Sequence, residues 1–550
     1  MKRTIATSTV DVAVVGGGIQ GATIACHAAQ AGYTVALIDQ GDFGAATSAN
    51  SLKIIHGGIR YLQNGNIKRI RESIRSRREM MRLFPHLTRS LPCLMPTYGH
   101  GLRGRETMRL AFALYDLIAY DRNHGLATGN WLPRTGCLSA ANTMATVPGL
   151  DGAGLTGGAL WYETLAASTE RLTLEYVKLA ARHGAMVANY CEMTEPLLDH
   201  GRLHGFFVRD LTTGAEHKIS CRVLVKATGP WTADGGAATP QWATAINLVV
   251  KKRFFGDYAV GLEGSDNFVD PHRTVPGGKR LFFFVPWRGA YTMIGTSYGR
   301  WSGVPGDFIP TAADLRRTLA DINRIYPAAA LQPEDVSFVH AGLLPIAKND
   351  DGLEATPPLE SKSRVIDHAG NGAAGLVSVI GVKYTTAPTL ADQVLRHLQK
   401  TYLTDQPREN RYQAPEREKL DFAAALAILG AEYEKIQTHL TERYGENWRA
   451  VFRYLAARPE EAASPWLIPG LLRAELRYFI TEEMALTLAD VVFRRTGLAS
   501  AECPSQDILR TLASAMAKEL NWDESESGRQ IEQVLAVFAP VMALLGDDHV

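Results

Sequence analysis

VDVAVVGGGIQGATIACHAAQAGYTVALID, residues 10–39, is the stretch on which the fold turns. Val10–Val15 is a short apolar run rich in β-branched residues, as a buried strand requires. Gly16, Gly18 and Gly21 follow in GxGxxG spacing, ahead of the Ala-rich stretch Ala22–Ala31. A strand, a tight turn and a helix are predicted. In such a turn the first glycine permits the bend, the second lets backbone approach a pyrophosphate, and the third packs helix on strand; Ile19 and the helix N-terminus then face the anion. Gly32 closes the helix and Thr34–Ile38 supplies a second strand. Asp39 stands at its end, where a carboxylate accepts hydrogen bonds from ribose hydroxyls and disfavours a 2′-phosphate. The unit binds a dinucleotide but does not separate NAD from FAD.

Two later segments make that separation. TSANSLKIIHGGIRY, residues 47–61, is polar and glycine-containing, suited to threading past a flavin, with Thr47, Ser48, Lys53, Ile55, His56 and Gly57 as candidate cofactor contacts. Val223–Val225 leads into Ala227, Thr228, Gly229, Pro230 and Trp231, a buried strand ending in a small-residue turn that approaches the cofactor again through Gly229 and Trp231. A cofactor touched by such distant segments reads as a long, permanently held FAD rather than an exchangeable NAD.

Bulk properties narrow the function class. At 550 residues, two or three domains are expected, and 46% hydrophobic with 21% charged residues is a globular composition. A formal net charge of +1 gives no support for nucleic-acid binding, so small-molecule chemistry is favoured. Six cysteines are scattered without a CxxC pair, which suggests neither a metal cluster nor a disulfide framework and fits a reducing, cytoplasmic compartment. The N-terminal apolar run contains Asp11 and breaks at Gly16–Gly18, so it reads as strand then loop rather than as a signal peptide. No window reaches membrane-spanning length, which leaves peripheral contact with the inner face of the cytoplasmic membrane as the form any attachment would take. Arg103–Tyr120 offers such a surface, with arginines ahead of Leu110, Phe112, Leu114, Leu117 and Ile118; burial in a substrate domain accounts for the same apolar residues.

DVAVVGGGIQGATIA, ATSANSLKIIHGGIRYL, KATGPW, FFVPWRGAYTMIGTS and IGVKYTT, in this order and spacing, resemble the FAD-dependent glycerol-3-phosphate dehydrogenases. PWLIPGLLRAELRYFITEEMALTLADVVFRRTG, residues 465–497, resembles that family's helical cap, so nearly the whole chain is covered. The resemblance implies an α/β fold: a Rossmann-like FAD-binding domain interleaved with an antiparallel-sheet substrate domain of the D-amino-acid-oxidase type, plus an all-α C-terminal domain. Residues 1–403 are expected to hold the first two, with FAD segments about 8–85, 150–235 and 340–400 and substrate segments about 86–149 and 236–339. Residues 404–418 read as a linker and 419–550 as the helical domain. The implied activity is oxidation of the secondary alcohol of glycerol 3-phosphate by hydride transfer to noncovalently held flavin, with electrons passed to quinone or another acceptor. Oligomeric state is open, a homodimer included.

On this resemblance Arg60, Tyr61 and Lys383 carry over to substrate and flavin, and Gly342, Tyr384 and Thr385 to the flavin. Three positions depart from it. The family's GVRP reads Gly342-Leu343-Leu344-Pro345, so the arginine expected beside the reacting carbon is Leu344; a second arginine falls near Ser361, with Lys362 and Arg364 nearby; and KGSH reads Lys251-Lys252-Arg253-Phe254. A lost guanidinium–phosphate contact costs about 1.5–3 kcal/mol per hydrogen bond to charge, so weak affinity for glycerol 3-phosphate is expected. Either Lys251, Lys252, Arg253 or Lys362 relocates the charge, with Arg253 the candidate substrate contact, or the polar head differs. His340, two residues before Gly342, is a candidate base, although a lone strand histidine is as readily a packed residue. The basic trio reads equally as a solvated edge run, and the amphipathic stretch Ile67–Phe84 as a core helix. An FAD-dependent dehydrogenase of a small polar alcohol is thus expected. An amine or amino-acid oxidase, or a non-catalytic FAD-holding subunit, stands as the alternative.

Overall fold

Alternating apolar runs and glycine turns build two large sheets in the computed structural model, which describes residues 1, 3–101, 104–232, 242–263, 281–347, 357–405, 427, 429–461 and 464–546. In chain order the strands are β1 (Ser8–Val15), β2 (Val35–Ile38), β3 (Ile54–Ile55), β4 (Thr88–Tyr98), β5 (Gly136–Ser139), β6 (Leu155–Ala166), β7 (Met186–Ala188), β8 (Cys191–Asp199) and β9 (Arg202–Asp210). They continue as β10 (Glu216–Lys226), β11 (Trp242–Val250), β12 (Ala259–Glu263), β13 (Leu281–Trp287), β14 (Tyr291–Trp301), β15 (Val336–Pro345), β16 (Arg364–Asp367) and β17 (Leu376–Ile380). The helices that concern the site are α1 (Ile19–Gln30), α2 (Ile67–Leu83), α3 (Arg105–Ile118), α4 (Ala140–Thr146), α5 (Thr169–Arg182), α6 (Ala312–Ile325) and α7 (Ala387–Thr401).

The first sheet has the order β16-β17-β10-β1-β2-β7, with β9 on β10 and β8 on β9. Its centre, β17-β10-β1-β2-β7, is parallel, and Val12, Val14, Val35, Leu37, Val223 and Val225 are buried in it. Continuous apolar strands are what a sheet covered on both faces needs. The second sheet has the order β15-β11-β14-β13-β12-β4-β6-β3, with β5 on β6; only the β12–β4 pair is parallel. The chain visits the sheets alternately, which is the interleaving expected. The hairpin predicted across Thr212–Gly214 is β9–β10, and the pair predicted across Gly289 is β13–β14. Leu155–Ala166, grouped from the sequence with the FAD segments, is hydrogen-bonded into the second sheet against β4.

Beyond residue 429 the chain is helical, but not wholly so. Trp466–Ile468 and Leu471–Leu472 pair as a short antiparallel hairpin, because Pro469 and Gly470, the latter at φ +76°, make a tight turn. The linker expected at 404–418 lies outside the described residues from 406 onward, as does the expected start of the helical domain at 419. The C-terminal helices share one core with the second sheet, where Trp161, Trp287 and Phe338 join Phe479 and Phe538.

A buried ionic network binds the same helices to α5 and to the loop after β2. Arg171 and Lys178 both reach Glu175 and Glu483, and Arg494 and Arg495 both reach Asp42. Burial alone would raise the carboxyls, but Arg171 and Lys178 hold Glu483, and Arg495 and Arg494 hold Asp42, down at about 2.

Candidate functional site

Five separated segments meet at the turn after β1. Gly17 N–H donates to Asp39 Oδ2 at 2.5 Å, and Ile19 N–H to Ser48 Oγ at 2.9 Å. Thr47 Oγ1 donates to the Leu343 carbonyl at 3.3 Å, and Gln20 Nε2 to the Lys383 carbonyl at 3.0 Å. A Cβ at Gly16 would lie 2.5 Å from the Ala227 carbonyl oxygen, and one at Gly21 would lie 1.8 Å from that of Gly16, so backbone packs on backbone there. Phe43 backs Gly17 so closely that a Cβ would meet its ring at 2.3 Å.

The side toward a ligand is more open. An added Cβ at Gly18 meets only Ser48 Oγ, at 3.1 Å; one at Gly229, φ +55°, meets nothing within 4 Å, and Trp231 beside it is 41% exposed. Among the described residues Gln20 Oε1 is buried without a partner, an acceptor left over for a ligand donor. Asp39 also accepts from Gly41 N–H; burial carries its carboxyl up to about 6 against these two amides. A glycine turn at a helix N-terminus, a strand-end carboxylate and an orphaned amide oxygen fit FAD.

At the far end of this line the second turn segment delivers cations. Ile59–Asn64 is a 3₁₀ helix bounded by Gly58 and Gly65, at φ +80° and +60°, which reverses the chain so that α2 returns over Tyr61. The Tyr61 ring carries Lys383 Nζ 4.2 Å from its centroid, Arg69 Cζ at 5.4 Å and Arg60 Cζ at 5.5 Å. Among the described residues no carboxylate pairs with any of the three. Burial first and Arg60 second hold the Lys383 ammonium well below its ordinary range. His56 adjoins this group, with its side chain 52% exposed, its N–H donating to Thr385 Oγ1 at 3.0 Å and its Nδ1 3.9 Å from Glu163. Desolvation, then Arg60, Lys383 and Arg77, hold the pKa of its imidazole at about 3, as low as that of His340, so exposure rather than basicity separates the two histidines. Glu163 is itself buried against Arg77 and the Gly57 N–H.

Arg60, Tyr61, His56 and Lys383 are therefore brought together, whereas other candidates lie elsewhere. His340, a candidate base, is 2% exposed; its Nε2 bonds the Ser500 carbonyl at 3.0 Å, its ring packs edge-on to Phe338, and burial with Lys53 lowers its pKa to about 3. Its strand face turns to the C-terminal helices. Lys53 is fully committed to Ala49 O, Thr169 Oγ1 and Glu170, and Tyr384 bonds Thr169 and Thr173. Ile55 is buried in β3 opposite Thr164.

Arg253 is corrected most clearly as a substrate contact. Its guanidinium is occupied by Asp257 and the Gly289 carbonyl, while Lys252 pairs with Asp335 and Lys251 with Glu502. Leu344 sits opposite Ala243 at one end of β11, and the trio follows Val250 at the other, a span of about 26 Å at ~3.3 Å per residue. The edge-run reading of the trio is the one its pairing supports. Lys362 is exposed. Sequence reasoning missed Arg69, Glu163 and Gln20: no motif marks them, and only the return of α2 places Arg69 on Tyr61.

A family model described as FAD dependent oxidoreductase matches residues 11–388, and one described as the C-terminal domain of alpha-glycerophosphate oxidase matches residues 392–527. The chain is 27% identical to a glycerol-3-phosphate dehydrogenase of Synechocystis sp. over 552 residues, 96% of each chain. It is 28% identical to the aerobic glycerol-3-phosphate dehydrogenase of Bacillus subtilis over 554 residues, 96% of this chain and 94% of that one. A solved glycerol-3-phosphate dehydrogenase from Bacillus halodurans, complexed with FAD, matches with TM-score 0.71 over 97% of this chain and 95% of its own at 24% identity, a likeness of fold.

Proposed function

The chain belongs to the FAD dependent oxidoreductase family, and from that premise we propose that it dehydrogenates the secondary alcohol of a small phosphorylated polyol, glycerol 3-phosphate foremost. FAD, when bound, supplies the ring that accepts the hydride. Gly16, Gly18, Ile19 and the α1 N-terminus would hold its pyrophosphate, Asp39 a ribose, and Thr47, Ser48, Gly229 and Gly342 its flanks. The observation that carries the substrate reading is the trio of cations on Tyr61, which no carboxylate among the described residues neutralises. Like charges this close repel until an anion arrives, and a phosphate dianion answers that charge. His56, neutral and half exposed, takes the hydroxyl proton, and its neighbours Arg60 and Lys383 fix the head of the same molecule. Relatives named as glycerol-3-phosphate dehydrogenases over nearly the full length support the same substrate.

In this reading the first sheet serves FAD and the second shields the substrate, with boundaries near 85, 150, 235, 340 and 403 and β6 crossing between them to bring Glu163 behind His56. Quinone or another acceptor takes the electrons. The α3 helix is the proposed approach to a membrane: Leu110, Leu114 and Leu117 are 74%, 47% and 71% exposed at helical spacing, followed by Tyr120 at 79% and flanked by exposed Arg109. Arg103, read with this segment, lies outside the described residues. No single helix among the described residues is long and apolar enough to cross a bilayer, so attachment would be by this face.

Anaerobic mixing of the yellow protein with glycerol 3-phosphate, glycerol and a panel of amines and amino acids tests the proposal. Bleaching by the phosphorylated polyol is expected; bleaching by an amine alone, or by nothing in the panel, would overturn it.

A further inference from the structure

The resemblance expects an arginine near Ser361, and Arg69 from α2 reaches this point: Arg69 Nη2 donates to Ser361 Oγ at 3.3 Å. The same guanidinium stacks on Tyr61, half-buried, with Arg60 and Lys383 on that ring. Its helix is pinned to present it, since Asn66 Oδ1 caps the Arg69 N–H and Ser73 Oγ donates to the Arg69 carbonyl. Arg71, Arg77 and Arg78 on the same helix all have carboxylate partners, Asp121 or Glu163, whereas among the described residues Arg69 has none. No carboxylate among the described residues thus consumes its charge.

We propose that Arg69 is a specificity-determining residue of this chain: it supplies, from α2, the guanidinium that positions 344 and 361 lack, and it selects a phosphate-bearing substrate over a neutral polyol. Arg69 and Ser361 then form an exchanged pair. A guanidinium delivered from a helix over a tyrosine face reaches the anion laterally, with Ser361 Oγ fixing its plane so that the remaining N–H groups stay free for the ligand. This rests on the phosphorylated-polyol reading above and adds which residue enforces it.

The test compares the FAD-loaded wild-type protein with R69M, R69K and the double variant R69M/S361R. R69M is expected to raise KM for glycerol 3-phosphate about ten- to hundredfold with kcat changed less than about threefold, and to change any flavin reduction by unphosphorylated glycerol far less than that. R69K recovers part of the loss and the added Ser361→Arg most of it. Inorganic phosphate, titrated by calorimetry without turnover, loses affinity for R69M by the same factor. Equal losses for both alcohols, or an unchanged phosphate affinity in R69M, would overturn the assignment; should R69M not fold, R69K and phosphate titration carry the same decision. If the wild-type flavin is not bleached by glycerol 3-phosphate yet phosphate binding still depends on Arg69, the substrate reading falls and the anion site stands.

Discussion

Two groups of positive side chains in this molecule have opposite surroundings. Arg171, Lys178, Arg494 and Arg495 are buried at the seam with the C-terminal helices, and each meets at least one of Glu175, Glu483, Asp42 and Asp490. Arg60, Arg69 and Lys383 share the Tyr61 ring and meet no carboxylate among the described residues. A cation with a partner holds structure; a cation kept from a partner is available to a ligand. Family motifs alone do not make this distinction, for they marked Arg253 beside Arg60, and Arg253 is paired.

Breaking the paired group carries the largest expected effect. Glu483→Gln leaves Arg171 and Lys178 to share Glu175, with one positive charge unbalanced in the interior, and is expected to cost about 3–5 kcal/mol, read as a drop in melting temperature with the kinetic constants of the surviving protein unchanged. Because Glu483 and Asp42 are depressed in the folded state, their contribution is complete above the ordinary carboxylate range and disappears as pH falls toward about 2. Acid unfolding monitored from pH 5 downward should therefore be blunted in the variant. His56→Asn tests the other group at its proton acceptor: a fall in kcat of about 10²- to 10⁴-fold is expected, with phosphate affinity retained.

Lys383→Met sharpens the contrast further, lowering kcat/KM by about ten- to hundredfold while leaving the melting curve in place, since removing an unneutralised cation relieves repulsion rather than stranding charge. Phosphate binding to the wild type should also move the Lys383 titration upward, because an anion beside it opposes the burial and the Arg60 charge that hold its ammonium down; the pH dependence of phosphate affinity, lost in the Lys383→Met variant, checks this. Leu344→Arg is the smallest perturbation. With Arg69 already in place, a change in kcat/KM within about threefold is expected, and a large gain would place the missing charge at position 344 after all.

The nucleotide half of the site was legible in the chain because its signals are local: an apolar run, glycine spacing and a terminal acid lie within thirty residues. The remainder depended on facts that periodicity does not carry. Strand alternation put His340 on one face of β15 but could not say that this face meets Ser500 and Phe338 rather than substrate. Lys252 looked free because Asp335 is distant in sequence. Arg77, within the amphipathic stretch read as a core helix, is buried against Glu163, a pairing that helical spacing alone does not give. Arg69 became visible only when the turn between Gly58 and Gly65 folded α2 back over Tyr61.

Asp42 is adjacent in sequence to Phe43, the ring that backs Gly17, and it is clamped by Arg494 and Arg495. The loop that seats the dinucleotide and the last turn of a segment some 450 residues downstream are consequently parts of one rigid joint. Seating the cofactor at one end ought to slow amide exchange at the other, so that Val491–Arg495 reports occupancy without touching the ligand.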